Sequence, residues 1–215
     1  MKAYDIDRLT PAPNYRVNLS WGFLLNHLAR WEEVYSLDIE PDFQRGHVWS
    51  EEQQINYIEY CLRGGAYSRD LMFNCFRFTS GEAHDMVLVD GLQRLTAVKK
   101  FISNELKAFG HYIDEFEDKE IILLREDVVI NVNTLPGKKA VYKWYLELNS
   151  GGTPHTQVEL SNVQVLYNEA SIPYVCYSYR TKRYIDILYS IDHVSNDKIV
   201  RIETFSDRHD VYLRS

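Results

Sequence analysis

The sequence predicts an α+β domain: a small mixed sheet with helices around it. Three observations carry this. Segments of helical period alternate with short apolar runs of strand length. Several helices carry their own start and stop signals. One apolar run passes through Asp90-Gly91 directly into a helix.

The elements follow in order. Residues 1–17 contain Pro11 and Pro13 and read as an extended arm. Ser20 is placed to cap a helix in which Phe23, Leu24, His27, Leu28 and Trp31 share one side. A short strand, Tyr35 to Ile39, is expected next, ending at Pro41. Ser50 with Glu51, Glu52 and Gln53 has the form of a capping box, and its helix should stop at Gly64-Gly65. Leu71 to Phe78 and Met86 to Val89 read as strands able to pair as a hairpin across Ser80-Gly81-Glu82. The helix from about Leu92 to Ser103 buries Leu95, Val98, Phe101 and Ile102. Glu120 to Leu124 and Val128 to Val132 read as two further strands. Lys138 to Asn149 is helical, halted by Gly151-Gly152, and a last helix takes Val158 to Tyr167. Residues 171–190 fit either type. The expected organisation is an arm (1–19), a domain (20–170) and a C-terminal extension (171–215).

Bulk properties exclude some functions. The net charge is −7, which argues against non-specific coating of DNA while leaving room for a local basic groove. Lys138-Lys139 and Arg180 to Arg183 are candidate DNA contacts, although short basic clusters are usually solvated surface. Sixteen tyrosines and nine phenylalanines fit an aromatic core better than a base-stacking platform. Cys61, Cys75 and Cys176 are odd in number, widely spaced and without metal-like pairing, so they read as reduced core residues. No apolar stretch is long enough to span a bilayer, and no export signal is recognisable, so a cytoplasmic location is expected. Asp207, His209 and Asp210 look like a metal cluster but lack a ligand motif; His84, His111 and His193 read as surface residues.

The strongest chemical signal is Val87 to Thr96. A strand, Asp90-Gly91 and an immediate helix leave the first helical N–H groups pointing outward, where the macrodipole favours an anion. Gly91 permits close approach, Arg94 adds a bidentate cation for phosphate, and Asp90 can accept from a hydroxyl or hold a divalent cation. Alone, the same segment also reads as Asp90 capping a helix with Arg94 on the surface. A second segment, Pro41 to Ser50, presents Gln44-Arg45 at another helix entrance. A third, Asn149-Ser150-Gly151-Gly152-Thr153, reads by itself as a helix stop.

Together the three segments resemble the N-terminal domain family of GmrSD-type modification-dependent restriction endonucleases. Its members share Pro-x-(Phe/Tyr)-Gln-Arg-x-x-x-Trp, Asp-Gly-Gln-Gln-Arg-Leu-Thr and Asn-x-Gly-Thr-x-Leu-x-x-x-Glu. The corresponding stretches here are Pro41–Trp49, Asp90–Thr96 and Asn149–Glu159, and the resemblance spans roughly residues 20–170. It implies a ParB/sulfiredoxin-like fold that receives nucleotide phosphates. By carry-over, Asp90, Gly91, Gln93, Arg94 and Thr96 belong to the phosphate motif, with Gln44 and Arg45 on the facing wall, Asn149 and Thr153 nearby, and Glu159 bracing. For hydrolysis, Arg94 and Arg45 are the residues expected to neutralise developing charge, and Asp90, the carboxylate at the mouth of the loop, is the candidate to orient water and hold the metal.

The chain departs from the pattern in three ways. Leu92 stands where the motif has its first Gln, which weakens hydrolysis unless that side chain packs inward. The third motif has a shifted Gly, and His155 stands where Leu is common. Residues 171–215 are too few for the His-Asn-His nuclease domain of larger members. The expected function is therefore binding, with hydrolysis, of a nucleoside triphosphate with Mg²⁺, in a DNA-defence or phage system that acts on or senses modified DNA. The alternative is a non-catalytic nucleotide- or DNA-binding module working with a partner nuclease, with a homodimer as a candidate assembly. Direct cleavage of nucleic acid ranks last, since no carboxylate pair with a lysine stands out; Glu120 to Arg125 lacks the lysine.

Overall fold

The computed structural model describes residues 13–44, 46–76, 78, 85–149, 157–170, 174–178 and 183–187. Among them are six α-helices, a four-stranded sheet and a two-stranded sheet. This is the expected α+β class.

The main sheet has the order β1-β4-β2-β3, built from Tyr15–Ser20 (β1), Asp70–Cys75 (β2), Met86–Asp90 (β3) and Asp127–Asn133 (β4). β2 and β4 run parallel, while the outer pairs are antiparallel. The mixed sheet follows from the connections. β2 and β3 form the expected hairpin, whereas the chain between β3 and β4 contains helices and brings β4 back alongside β2. The end of the predicted arm is strand β1.

Side chains alternate across the sheet. Leu71, Phe73, Leu88, Val128, Ile130 and Val132 enter one core with Trp21–Tyr35 (α1), Glu51–Leu62 (α2) and Leu92–Ile102 (α3). Val87, Val89 and Met72 instead pack in a second cluster with Gly137–Asn149 (α5) and Gln157–Glu169 (α6). The helices therefore cover the sheet from two sides.

Local signals set most boundaries. Ser50 makes the predicted capping box: its Oγ accepts from Gln53 N at 3.2 Å, and Gln53 Oε1 accepts from Ser50 N at 2.8 Å. α2 ends where Gly64 adopts φ +85°. Two predicted strands are corrected. Glu120 to Leu124 lies in helix α4 (Lys119–Arg125), with Ile122 buried and Ile121 and Leu124 exposed. A short apolar run satisfies either periodicity, and here a backbone bond from Ile121 N to Asp118 O starts a helical turn. Tyr35 to Ile39 is not a strand: α1 continues through Tyr35, Ser36 closes it in the left-handed region, and only Asp38 bridges β3. The undecided region contains Tyr174–Ser178 (β5) and Arg183–Ile187 (β6), an antiparallel pair.

Cys61 and Cys75 are buried, and burial pushes both thiols up, Cys75 to about 11. They are inert core residues, as expected. The side chain of Cys176, the Ser80-Gly81-Glu82 turn, Gly151-Gly152, His84, His193 and the Asp207, His209 and Asp210 group lie outside the described residues. His111 is on the surface. Lys138 faces Asp42 at 3.8 Å, and Lys139 lies over the Tyr167 ring. No helix among the described residues is long and apolar enough to cross a membrane.

Candidate phosphate-binding loop

A β-bulge prepares the site. Phe73 pairs with Leu88, but Met72 pairs with Asp90, leaving Val89 as the extra residue. Paired residues share a face of a sheet, so the bulge turns Asp90 onto the Met72 side, away from the Leu88 core. Met72 also pairs with Asn131, and Asn131 with Arg16. Asp90, Met72, Asn131 and Arg16 thus form one transverse row over all four strands.

Gly91 is the N-cap residue of α3, with φ +109° and no side chain to cap the helix. Asp90 is therefore the last strand residue rather than the cap. A Cβ at position 91 would lie 2.7 Å from Leu71 Cδ2 and 3.2 Å from Asp70 O. The glycine is thus needed twice, for its backbone angle and for close approach to β2.

The guanidinium of Arg94 closes over this turn. Its Nη2 donates to Asp90 Oδ2 at 2.6 Å and to Asp70 O at 3.0 Å, and its Nε donates to Asp70 O at 3.2 Å. The pair is partly open to solvent, with side-chain exposures of 21% for Arg94 and 36% for Asp90. Gly91, Asp90 and Arg94 are thereby brought together at the start of α3, as the sequence suggested.

The two glutamines act differently. Gln93 Oε1 accepts from Val48 N at 2.9 Å and Trp49 N at 3.1 Å, while its Nε2 donates to Gly46 O at 3.2 Å. Gln44 Nε2 donates to Leu88 O. Each motif's glutamine therefore grips the other motif's chain. Side chains read as ligand contacts are occupied in joining the two loops.

Leu92 is 4% exposed and lies in the first core. The departure from the family pattern thus points inward. Thr96 is half-buried farther along α3. Asn149 Nδ2 donates to Tyr145 O at 2.8 Å, within its own helix. That helix meets the Gln44 segment through Phe43, whose ring contacts Tyr142 and Tyr145 edge-on. Arg45 and Thr153, and the side chain of Glu159, lie outside the described residues.

Asp70 escaped the sequence reading, which began β2 at Leu71. Its backbone oxygen receives Arg94, and its Oδ1 accepts from the buried Asn131 at 2.9 Å. The asparagines at 131 and 133, alternating with apolar residues in a central strand, were the available signal for a polar face. Among the described residues no group of three His, Cys, Asp or Glu side chains is placed to hold a metal. A cation at Asp90 would have one protein carboxylate and would depend on phosphate oxygens and water for its other ligands. Mg²⁺ accepts that donor set.

No curated protein and no solved structure matches the chain. The family model of the GmrSD restriction endonuclease N-terminal domain matches residues 32–166, which includes both latched motifs and helix α5. The chain belongs to the GmrSD restriction endonuclease N-terminal domain family.

Proposed function

We propose that this chain binds a nucleoside triphosphate with Mg²⁺ at the start of α3 and hydrolyses it, as part of a DNA-defence system that works with a nuclease. The carrying observation is the Asp90–Arg94 pair, partly exposed at a helix start that has no side-chain cap. Helix-start amides and a guanidinium both receive phosphate well. The pair holds this cation beside the turn, where an incoming phosphoryl group competes with Asp90 for Arg94. Mg²⁺, when bound, supplies charge neutralisation along the phosphates. The ParB/sulfiredoxin-like reading rests on the family resemblance, and the strand–turn–helix arrangement at Asp90-Gly91 is compatible with it.

In this reading Arg94 holds and neutralises phosphate, Asp90 orients water or cation, and Gly91 admits the ligand. Gln44 and Gln93 keep the two loops in register, with Arg45, Thr96, Asn149 and Thr153 as further candidate contacts. Family membership supports the DNA-defence setting; DNA and a homodimeric partner belong to the proposal.

The test combines calorimetry and phosphate release with the four ribonucleoside triphosphates, with and without Mg²⁺. Wild-type protein should bind and turn over at least one of them, and Arg94→Ala should abolish turnover with the fold retained. Unchanged turnover in that variant would reject the site. Tight binding without any phosphate release would favour the non-catalytic module, which the prior engagement of Arg94 by Asp90 also suits.

A further inference from the structure

Asp70 lies between two arginines that reach it from different strands. Arg94 bonds its backbone oxygen at 3.0 and 3.2 Å. Arg16, from β1, brings Nη2 to 3.6 Å from its Oδ1. Asn131 fixes that same oxygen at 2.9 Å and is itself 4% exposed, so the carboxylate is held from beneath.

The two guanidiniums are committed to different degrees. Arg94 spends Nε and Nη2 on hydrogen bonds. Arg16 approaches Asp70 beyond hydrogen-bond distance and is 66% exposed. Its donors are available to an outside acceptor. β-sheet register keeps Arg16 on the face that carries Asn131 and Asp90. Strands are spaced by about 4.8 Å, so a side chain as long as arginine bridges inward from β1 over β4 to Asp70.

We infer that Arg16 is a second phosphate contact, which receives the phosphoryl group farther along a nucleotide's phosphate chain when the first sits at Arg94. The inference rests on the phosphate-loop reading above and adds a specificity to it. A monophosphate occupies the α3 start alone, whereas a di- or triphosphate extends over Asp70 and reaches Arg16. The Asp70 carboxylate is paired with Arg16 and bonded by Asn131, while Arg94 lies against the backbone oxygen of the same residue, so the extended chain does not face an isolated carboxylate. Arg16 thereby makes the site select for phosphate-chain length.

The experiment measures Kd by calorimetry for the mono-, di- and triphosphate of the best-bound nucleoside. The proteins are the wild type, Arg16→Ala, Arg16→Lys and Arg94→Ala. Arg16→Ala should weaken triphosphate binding at least about tenfold, the scale of one charge-assisted hydrogen bond, and leave monophosphate binding unchanged. Arg16→Lys should recover part of the loss. Because the Arg16–Asp70 pair is exposed, the melting temperature should hardly move. Arg94→Ala should weaken all three ligands. Equal affinity of wild type and Arg16→Ala for the triphosphate, with Arg94→Ala still defective, overturns the role of Arg16 alone. No binding of any nucleotide by wild type overturns the phosphate-loop reading and this inference together.

Discussion

Arg69 and Arg94 both meet the start of β2, and both are paired with carboxylates, yet their surroundings differ. Arg69 is 10% exposed and Glu126 4%, and they bond at 2.8 Å. Arg69 also donates to Gly65 O, Cys61 O, Asp127 O and Asp127 Oδ1. Every donor group of this guanidinium is spent inside the protein, where it joins the end of α2 to the start of β4. Arg94 shares an aspartate and one carbonyl at a partly open surface. An ion pair by itself therefore says little about role. Burial and the completeness of hydrogen bonding separate an internal strut from a cation that a ligand can take.

The largest expected effect tests the strut. Arg69→Met leaves the Glu126 carboxylate buried without its main partner and should cost about 3–5 kcal/mol in urea unfolding. Arg94→Ala, measured in the same way, should cost about 1–2 kcal/mol, because its pair is partly solvated and its loss leaves no deeply buried carboxylate. Equal losses at the two positions would erase the distinction and make Arg94 structural.

A middle-sized effect tests the latch between the motifs. Gln93→Ala removes three hydrogen bonds to residues 46–49. A loss of about 1–2 kcal/mol is expected, together with faster amide exchange at Val48 and Trp49. Gln93→Glu retains the acceptor and should restore protection of those two amides. If exchange is unaltered in the alanine variant, other contacts fix the loop and the glutamine is free to serve a ligand.

The smallest effect concerns pH and lies away from both arginines. Burial lowers His27 below the ordinary histidine value of 6.5, and its Nε2 is buried with no hydrogen-bond partner among the described residues. The folded pKa is depressed, so the unfolded chain binds the proton first as pH falls. Stability should decline as pH falls through 6.5, until the folded form also protonates. His27→Leu should make that decline shallower as pH falls below the ordinary histidine value of 6.5. His47, also lowered chiefly by burial, should maintain a residual slope. An unchanged slope in His27→Leu would place the pH dependence elsewhere.

Much of the fold was legible because its signals are local. The Ser50 capping box, the Gly64 stop, the β2–β3 hairpin and the strand–Asp90-Gly91–helix passage each depend on a few neighbouring residues. Where local signals were balanced, packing decided. Glu120 to Leu124 became helical with one buried side chain, and Tyr35 was absorbed into α1. The candidate site divides in the same way. Asp90, Gly91 and Arg94 were visible as neighbours in sequence. Their partner Asp70 was not, because its importance comes from a strand pairing and a long-range contact with Arg94.

The sequence by itself determined the α+β class, the family and the residue types at the turn, since these reside in periodicity and in short motifs. Tertiary structure decided what the side chains do there. Register and the bulge at Val89 set Asp90, Asp70, Asn131 and Arg16 on one face. Contacts across the fold spent the two glutamines on backbone and sealed Arg69. The physical reason is that hydrogen-bond capacity is finite, and only the folded neighbourhood shows which donors remain for a ligand.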